Sequence, residues 1–252
     1  MTATLTISRL HDLRLGAMAQ ALQRQQEQVG TYGGLSFMER LGLLVEQECL
    51  ERDHRKQNRL IRQARFKLNA TVPDIDYQHR RNIEPSQIAQ LAQGEWIERA
   101  QNLLITGPCG SGKTYLACAV GHNACLQGHS VRYYRLSRLL LALTQAKADG
   151  SYQKQLTLLA KIRVLIIDDW GLEALNAAQR NDLMEIMDDR HGHQSTVMIS
   201  QLPTDEWYAA IGDNTLADAI LDRLMHNAHR LKLTGESMRK IRDKLTDGEH
   251  LS

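Results

Sequence analysis

Gly107-Pro108-Cys109-Gly110-Ser111-Gly112-Lys113-Thr114 constrains this chain more than any other stretch of it. The octapeptide fits G-x-x-x-x-G-K-[ST] without a mismatch. Its flanks fit as well. Asn102-Leu103-Leu104-Ile105-Thr106 before it reads as a short buried strand, and Tyr115 to Leu126 after it reads as a helix. A strand–loop–helix unit of this kind commits the chain to an α/β fold and points to a polyphosphate ligand. Several phosphate oxygens need many donors in a small space. Gly107, Gly110 and Gly112 let the backbone curl so that successive N–H groups turn inward, and the helix that follows adds its positive end. Lys113 is expected to reach the β- and γ-phosphates, and the Thr114 hydroxyl to ligate Mg2+. The nucleotide-binding set is therefore Gly107, Pro108, Cys109, Gly110, Ser111, Gly112, Lys113, Thr114 and Tyr115.

A phosphate loop alone hydrolyses nothing. Val164-Leu165-Ile166-Ile167-Asp168-Asp169 supplies four apolar residues for a central strand and two acids at its C-terminal end, the edge where ligands bind in open α/β sheets. Asp168 is expected to hold Mg2+ through water, and Asp169 to orient or deprotonate the attacking water. The competing reading is a strand that ends in a polar turn. The next strand, Thr196 to Ile199, leads to Gln201, which could sense the γ-phosphate or simply sit in a turn before Pro203. On a helix expected over 215–228, Leu216, Ala217, Ile220, Leu221 and Leu224 make the buried arc and Arg223 falls at its edge. Such an arginine can act in trans at a neighbouring subunit's γ-phosphate, stabilising transition-state charge. A salt bridge to Asp222 or Asp218 is the alternative. Arg239 is a weaker candidate for a phosphate contact.

The 252 residues are 42% apolar, enough for a sizeable core, but with two Phe and three Trp the filling must be aliphatic. A net charge of +2 decides nothing about partners. Cys49, Cys109, Cys118 and Cys125 show neither Cys-x-x-Cys pairing nor zinc spacing and read as reduced thiols of a cytosolic protein. No run approaches membrane-spanning length, and no signal peptide is visible. His191-Gly192-His193 lacks a supporting acid cluster and reads as surface. Residues 1–67 look wholly helical, with Leu10, Leu13, Met18 and Leu22 at near-helical spacing, a break at Gly30–Gly34, and a capping box at Ser36 and Glu39. Residues 68–85 lose periodicity, carry Pro73 and Pro85, and read as a linker. From 86 onward helices alternate with strands at 102–106, 130–135, 162–168, 195–200 and 230–233, which argues for a five-stranded parallel sheet flanked by helices.

Taken together, the phosphate loop, Ile-Ile-Asp-Asp-Trp-Gly, Ser-Gln-Leu-Pro, the stretch Gly212 to Arg230 and Gly-Glu-Ser-Met-Arg-Lys resemble the IstB-type transposition helper ATPases, over nearly the whole chain. That family is similar to the DnaC/DnaI helicase loaders in the initiator branch of the AAA+ ATPases. The resemblance implies an AAA+ core, ATP and Mg2+ as cofactors, and homo-oligomers assembled on duplex DNA. It also implies a bacterial, cytoplasmic and nucleoid-associated setting, and partnership with the transposase of the same element in target selection and strand transfer. A replicative helicase loader of the DnaC type is the alternative with the same core. A small-molecule kinase and a non-hydrolysing scaffold are more distant ones. Two features depart from the AAA+ pattern. Asp169 stands where many members carry Glu, so slow hydrolysis, stimulated by DNA or partner, is expected. The thirteen residues after Arg239 are too few for the usual helical lid, so closure over the nucleotide is expected to rely on a neighbouring subunit.

Residues 52–67 hold seven Lys or Arg against one acid. Arg52, Arg55, Arg59 and Arg62 recur on one helical face, and Arg55, Arg59 and Arg62 are expected to contact DNA phosphates without reading sequence. A solvated helix face is the competing reading. The resemblance adds a second DNA-facing element over 137–161, with Lys147, Tyr152 and Lys154.

Overall fold

The computed structural model describes residues 3–79, 81–235, 237 and 238. It divides into two compact units, residues 1–59 and 60–252. The elements of the first unit are helical: α1 (Ala3–Asp12), α2 (Gly16–Glu27), α3 (Val29–Tyr32) and most of α4 (Phe37–Ala64). The capping box opens α4 as its sequence requires. The Ser36 amide donates to Glu39 Oε2 at 2.7 Å, and the Glu39 amide donates to Ser36 Oγ at 3.3 Å. Inside this unit Glu48 ties α4 to α2. Its carboxylate accepts the Ala17 and Met18 amides at 3.0 and 3.1 Å, at the positive end of α2, and Arg52 Nε at 2.9 Å. Burial alone would raise this carboxyl, but Arg52 and the two amides outweigh it and hold it below its ordinary value.

The second unit continues with α5 (Pro85–Gln93), α6 (Glu95–Glu98), β1 (Asn102–Thr106), α7 (Lys113–Leu126), β2 (Val131–Arg135), α8 (Leu136–Ala148) and α9 (Tyr152–Lys161). It closes with β3 (Val164–Trp170), α10 (Ala177–Arg190), β4 (Ser195–Ser200), α11 (Trp207–Ile211), α12 (Asn214–Met225) and β5 (Ala228–Lys232). The strands form one parallel sheet in the order β2-β3-β4-β1-β5. Parallel strands covered on both faces read as unbroken apolar runs, and Leu103–Ile105 of β1, Val164–Ile167 of β3 and Val197–Ile199 of β4 are such runs. Alternate residues divide between two cores. Leu103, Ile105, Val164, Ile166, Val197 and Ile199 face the side covered by α7 and α5. Leu104, Leu165, Ile167 and Met198 face the side covered by α8 to α12.

The stretch 68–85 is irregular, as a linker would be, yet Ala70 and Ile75 are buried in the core of the second unit. So are Leu60 and Ala64 from the end of α4, and Phe66 packs against them. Gly121 on α7 makes room for that ring. A Cβ there would lie 2.8 Å from both Phe66 Cε1 and Ile166 Cδ1. The second compact unit thus takes in residues before 86, because an apolar residue every few positions is enough to anchor an irregular chain.

At the end of the sheet where strands begin, the polar groups close on one another. Arg190, 1% exposed, donates to Leu159 O at 2.6 Å, Ile162 O at 2.8 Å and Thr196 Oγ1 at 3.1 Å, and also to Ser195 O. Asn102 donates to Arg223 O at 3.0 Å and Leu224 O at 3.2 Å and accepts the Thr196 amide at 2.9 Å.

Candidate nucleotide site

The opposite end of the sheet, where the strands finish, is open. A cleft of about 290 Å3 lies there, lined by Lys67, Leu68, Asp74, Asp76, Arg81, Cys109, Gly110, Gly112, Lys113, Thr114, Tyr115, Asp168, Asp169, Ile199, Gln201 and Met238. The phosphate loop follows β1 directly, and α7 starts at Lys113 with Gly112 at its N-cap. Gly107, Gly110 and Gly112 have φ of 147°, 81° and 94°, the region that a side chain makes costly, so the loop needs glycine at all three. Lys113 Nζ donates to Gly107 O at 2.7 Å and Pro108 O at 2.8 Å. Burial lowers the Lys113 ammonium from its ordinary value, while Cys109, Asp168 and Asp169 pull it back up.

Asp168 is the centre of the site. Only 2% exposed, it accepts Thr114 Oγ1 at 2.9 Å and the Tyr133 hydroxyl at 2.6 Å, both on Oδ2, and the Asp169 amide at 2.8 Å on Oδ1. Lys67 Nζ stands 3.9 Å from Oδ2. Burial and this hydrogen bond push the Tyr133 phenol above its ordinary value, so it stays a donor at neutral pH. Asp169 differs from its neighbour. Its φ is 65°, and Arg135 Nε lies 3.3 Å from its Oδ2. The sheet explains the backbone. Ile167 pairs with Met198 and Trp170 with Ser200, so β3 has two residues, Asp168 and Asp169, where β4 has only Ile199. The extra residue makes a bulge by which both carboxylates line the cleft, Asp168 buried and Asp169 more open.

These residues fit a nucleotide with its metal. Ser111 Oγ is buried in the loop without a hydrogen-bond partner, and so is Nε of Arg81, whose Nη1 donates to Ser111 O at 3.2 Å. The donor set is a glycine loop, a lysine at the head of a helix, a threonine hydroxyl and a carboxylate within 2.9 Å of it, which is the set that a metal-bound triphosphate requires. A family model described as IstB-like ATP binding protein matches residues 8–246. The chain belongs to this family. The insertion sequence ATP-binding protein y4pL of Sinorhizobium fredii (strain NBRC 101917 / NGR234) is 44% identical over 240 residues, covering 95% of this chain and 98% of that protein. Among solved structures, DnaI superposes with a TM-score of 0.57 at 20% identity, over 70% of this chain and 94% of its own. The DnaC helicase loader gives 0.55 at 21%, over 66% and 97%. The fold of this IstB-like chain is accordingly the AAA+ P-loop fold.

The remaining candidates are distributed unevenly. Gln201 lines the cleft, exposed, just beyond β4. Arg223 does not line it. On α12 it binds Asp188 of α10, with Nε and Nη2 at 2.8 and 2.7 Å from Oδ1, and Nη1 donates to Ala219 O at 2.9 Å. The ion pair is real but its partner is neither Asp222 nor Asp218. Its carbonyl meets Asn102 at the start of β1, whereas the phosphate loop follows the end of β1, about 16 Å away at the rise of a strand. Arg239 lies outside the described residues. Arg55 pairs with Glu51 at 3.2 Å, and Arg59 and Arg62 follow on the same helix. Lys147 and Tyr152 both turn inward to the buried carboxylate of Asp182, the phenol at 2.7 Å and the ammonium also 4.8 Å from the Tyr152 ring centre. Lys154 is exposed on α9. His191 and His193 are exposed, and among the described residues no group of three His, Cys, Asp or Glu is placed to hold a metal. The four cysteines are free thiols. Among the described residues no helix is long and apolar enough to cross a membrane.

Sequence reasoning missed Tyr133, Lys67 and Arg81. Tyr133 sits in Val131-Arg132-Tyr133-Tyr134-Arg135, where alternation marks it as inward-facing, and an inward tyrosine near a strand's C-terminal end is a signal that could have been used. Nothing local to Lys67 or Arg81 announces that they reach the cleft.

Proposed function

We propose that this protein is a slow, Mg2+-dependent ATPase that assembles on duplex DNA and assists the transposase of its own insertion sequence in target selection and strand transfer. The observation that carries the reading is the contact of Thr114 with Asp168 at the head of the phosphate loop, in a chain whose relative is named for an insertion sequence. Lys113 and the loop amides bind the triphosphate. Thr114 and Asp168 hold the metal, which when bound neutralises charge on the β- and γ-phosphates. Asp169, turned toward the cleft, orients the water, and Gln201 stands where it can register the γ-phosphate. Arg223, distant from its own cleft, serves that of a neighbouring subunit, which makes oligomerisation a condition of turnover. DNA is bound through phosphates by Arg55, Arg59 and Arg62 and by Lys154. Lys147, committed to Asp182, supports that second element by holding α8 to α10. The first unit also leaves Val29, Phe37, Met38 and Leu50 exposed, apolar surface suited to a protein partner. The setting is the bacterial cytoplasm, on the nucleoid.

The test combines electron microscopy on DNA with phosphate release. ATP-dependent rings or filaments and DNA-stimulated hydrolysis, both lost in Lys113→Ala, are the expected result. A monomer under every condition refutes it. Replacing Arg55, Arg59 and Arg62 together by alanine is expected to weaken DNA binding equally for all sequences in a gel-shift titration and to flatten its salt dependence. The likeness to the DnaC helicase loader supports a second reading, a replicative helicase loader. Capture of transposase rather than hexameric helicase by the full chain separates the two.

A further inference from the structure

Asp168 has more partners than a metal-holding carboxylate needs, and two of them come from residues outside the nucleotide motifs. Tyr133, on β2 next to β3, places a short 2.6 Å hydrogen bond on Oδ2. The ring is buried, 8% exposed, so the phenol has few other places to go. Lys67 reaches the same oxygen from a different part of the chain. Helix α4 ends at Ala64, which is fully buried, and Arg65 with φ of 55° ends it in a left-handed turn. Phe66 then packs against the core beside Gly121. Those anchors on either side of the turn deliver the next residue, Lys67, to 3.9 Å from Oδ2, and Leu68 to the cleft wall.

The two contacts act differently. A neutral donor at 2.6 Å fixes the orientation of a carboxylate and leaves its negative charge to a cation. An ammonium at 3.9 Å is too far for a hydrogen bond but close enough to compete electrostatically with any other cation at that oxygen. We propose that Tyr133 and Lys67 are positioning residues of the ATP site that act on Asp168 in opposite senses: Tyr133 holds the carboxylate ready for the metal, and Lys67 restrains metal binding there. The proposal rests on the reading of this cleft as a Mg2+–ATP site.

The test is a Mg2+ titration of the binding of a fluorescent ATP analogue to the full chain, read at equilibrium. In Tyr133→Phe, which keeps the buried ring, the Mg2+ concentration for half-maximal binding is expected to rise about 10-fold, as when a hydrogen-bond partner of a metal-holding group is removed. In Lys67→Met it is expected to fall at least about 3-fold, since a competing positive charge is gone. Lys67→Arg, which keeps the charge, is expected to stay near wild type. Thermal melting of each variant without nucleotide checks that the fold is kept. A merely structural role would move both variants in the same direction, and that outcome, or no shift in either, overturns the proposal. If the wild type fails to bind the analogue, or Lys113→Ala binds it equally well, the reading of the cleft as an ATP site is what fails.

Discussion

The two ends of the parallel sheet are built on opposite principles. Where the strands begin, every polar group described above has found a partner: Arg190 satisfies backbone carbonyls and a threonine hydroxyl, Asn102 uses both ends of its amide, and Arg223 is paired with Asp188. Where the strands finish, the buried side-chain atoms without a partner collect. Among the described residues these are Nε of Arg81, Oγ of Ser111, Nε1 of Trp170 and Nε of Arg180. Ser111 is in the phosphate loop, Arg81 lies against it, Trp170 ends β3, and Arg180 is in the first turn of the helix that follows β3. Unsatisfied buried groups cost stability, so a fold tolerates them mainly where a ligand is to be met. The start of the sheet is closed by its own hydrogen bonds, whereas the finish leaves these four atoms open, and of their residues Arg81 lines the cleft.

Four variants would break or sharpen that contrast. The largest effect is expected from Arg223→Ala, because Arg223 is the one candidate that belongs to the closed end yet is assigned to chemistry at the open end of a neighbour. DNA-stimulated phosphate release should fall about 10,000-fold, in the range seen when a transition-state arginine is lost. Mixing this variant with Lys113→Ala should regain part of the activity, since each supplies what the other lacks. A mixture as inert as its components would confine Arg223 to the scaffold. Asp169→Asn is next, with an expected loss of about 1,000-fold in hydrolysis while analogue affinity changes less than about 3-fold. Weakened binding of the same size as the loss of rate would make Asp169 a ligand-holding residue instead. Third, Arg190→Met should lower unfolding free energy in urea by about 3 kcal/mol, because several buried acceptors lose their donor at once. The smallest effect is expected from Ser111→Ala. With no partner to lose, its stability should stay within about 0.5 kcal/mol of wild type, and a larger loss would mean that Ser111 belongs with the satisfied groups.

Much of the open end was legible in the sequence, and little of the closed end was. The phosphate loop, the two acids after Ile167 and the parallel strands are written locally, in spacing and in unbroken apolar runs. The contacts that organise them join residues far apart in the chain. Tyr133 meets Asp168 across 35 positions, Asn102 meets Arg223 across 121, and Lys67 reaches Asp168 from the turn just beyond the end of α4. Such pairs leave no mark on periodicity. The stretch 68–85 holds contacts of the same kind. Its prolines and missing period describe an irregular backbone accurately, but two buried residues, Ala70 and Ile75, suffice to fasten it to the core.

The left-handed backbone at Asp169 has a consequence for the identity of that residue. Among residues other than glycine, Asp and Asn enter this region most readily, because a short polar side chain can bond locally, whereas a longer acid gains no such relief. The missing methylene relative to Glu is thus matched to the bulge in β3 and need not be read as a weakened base. If the proposed hydrolysis is measured, lengthening the acid at 169 would work against the fold, and relaxing the bulge first is the more promising route to a faster enzyme.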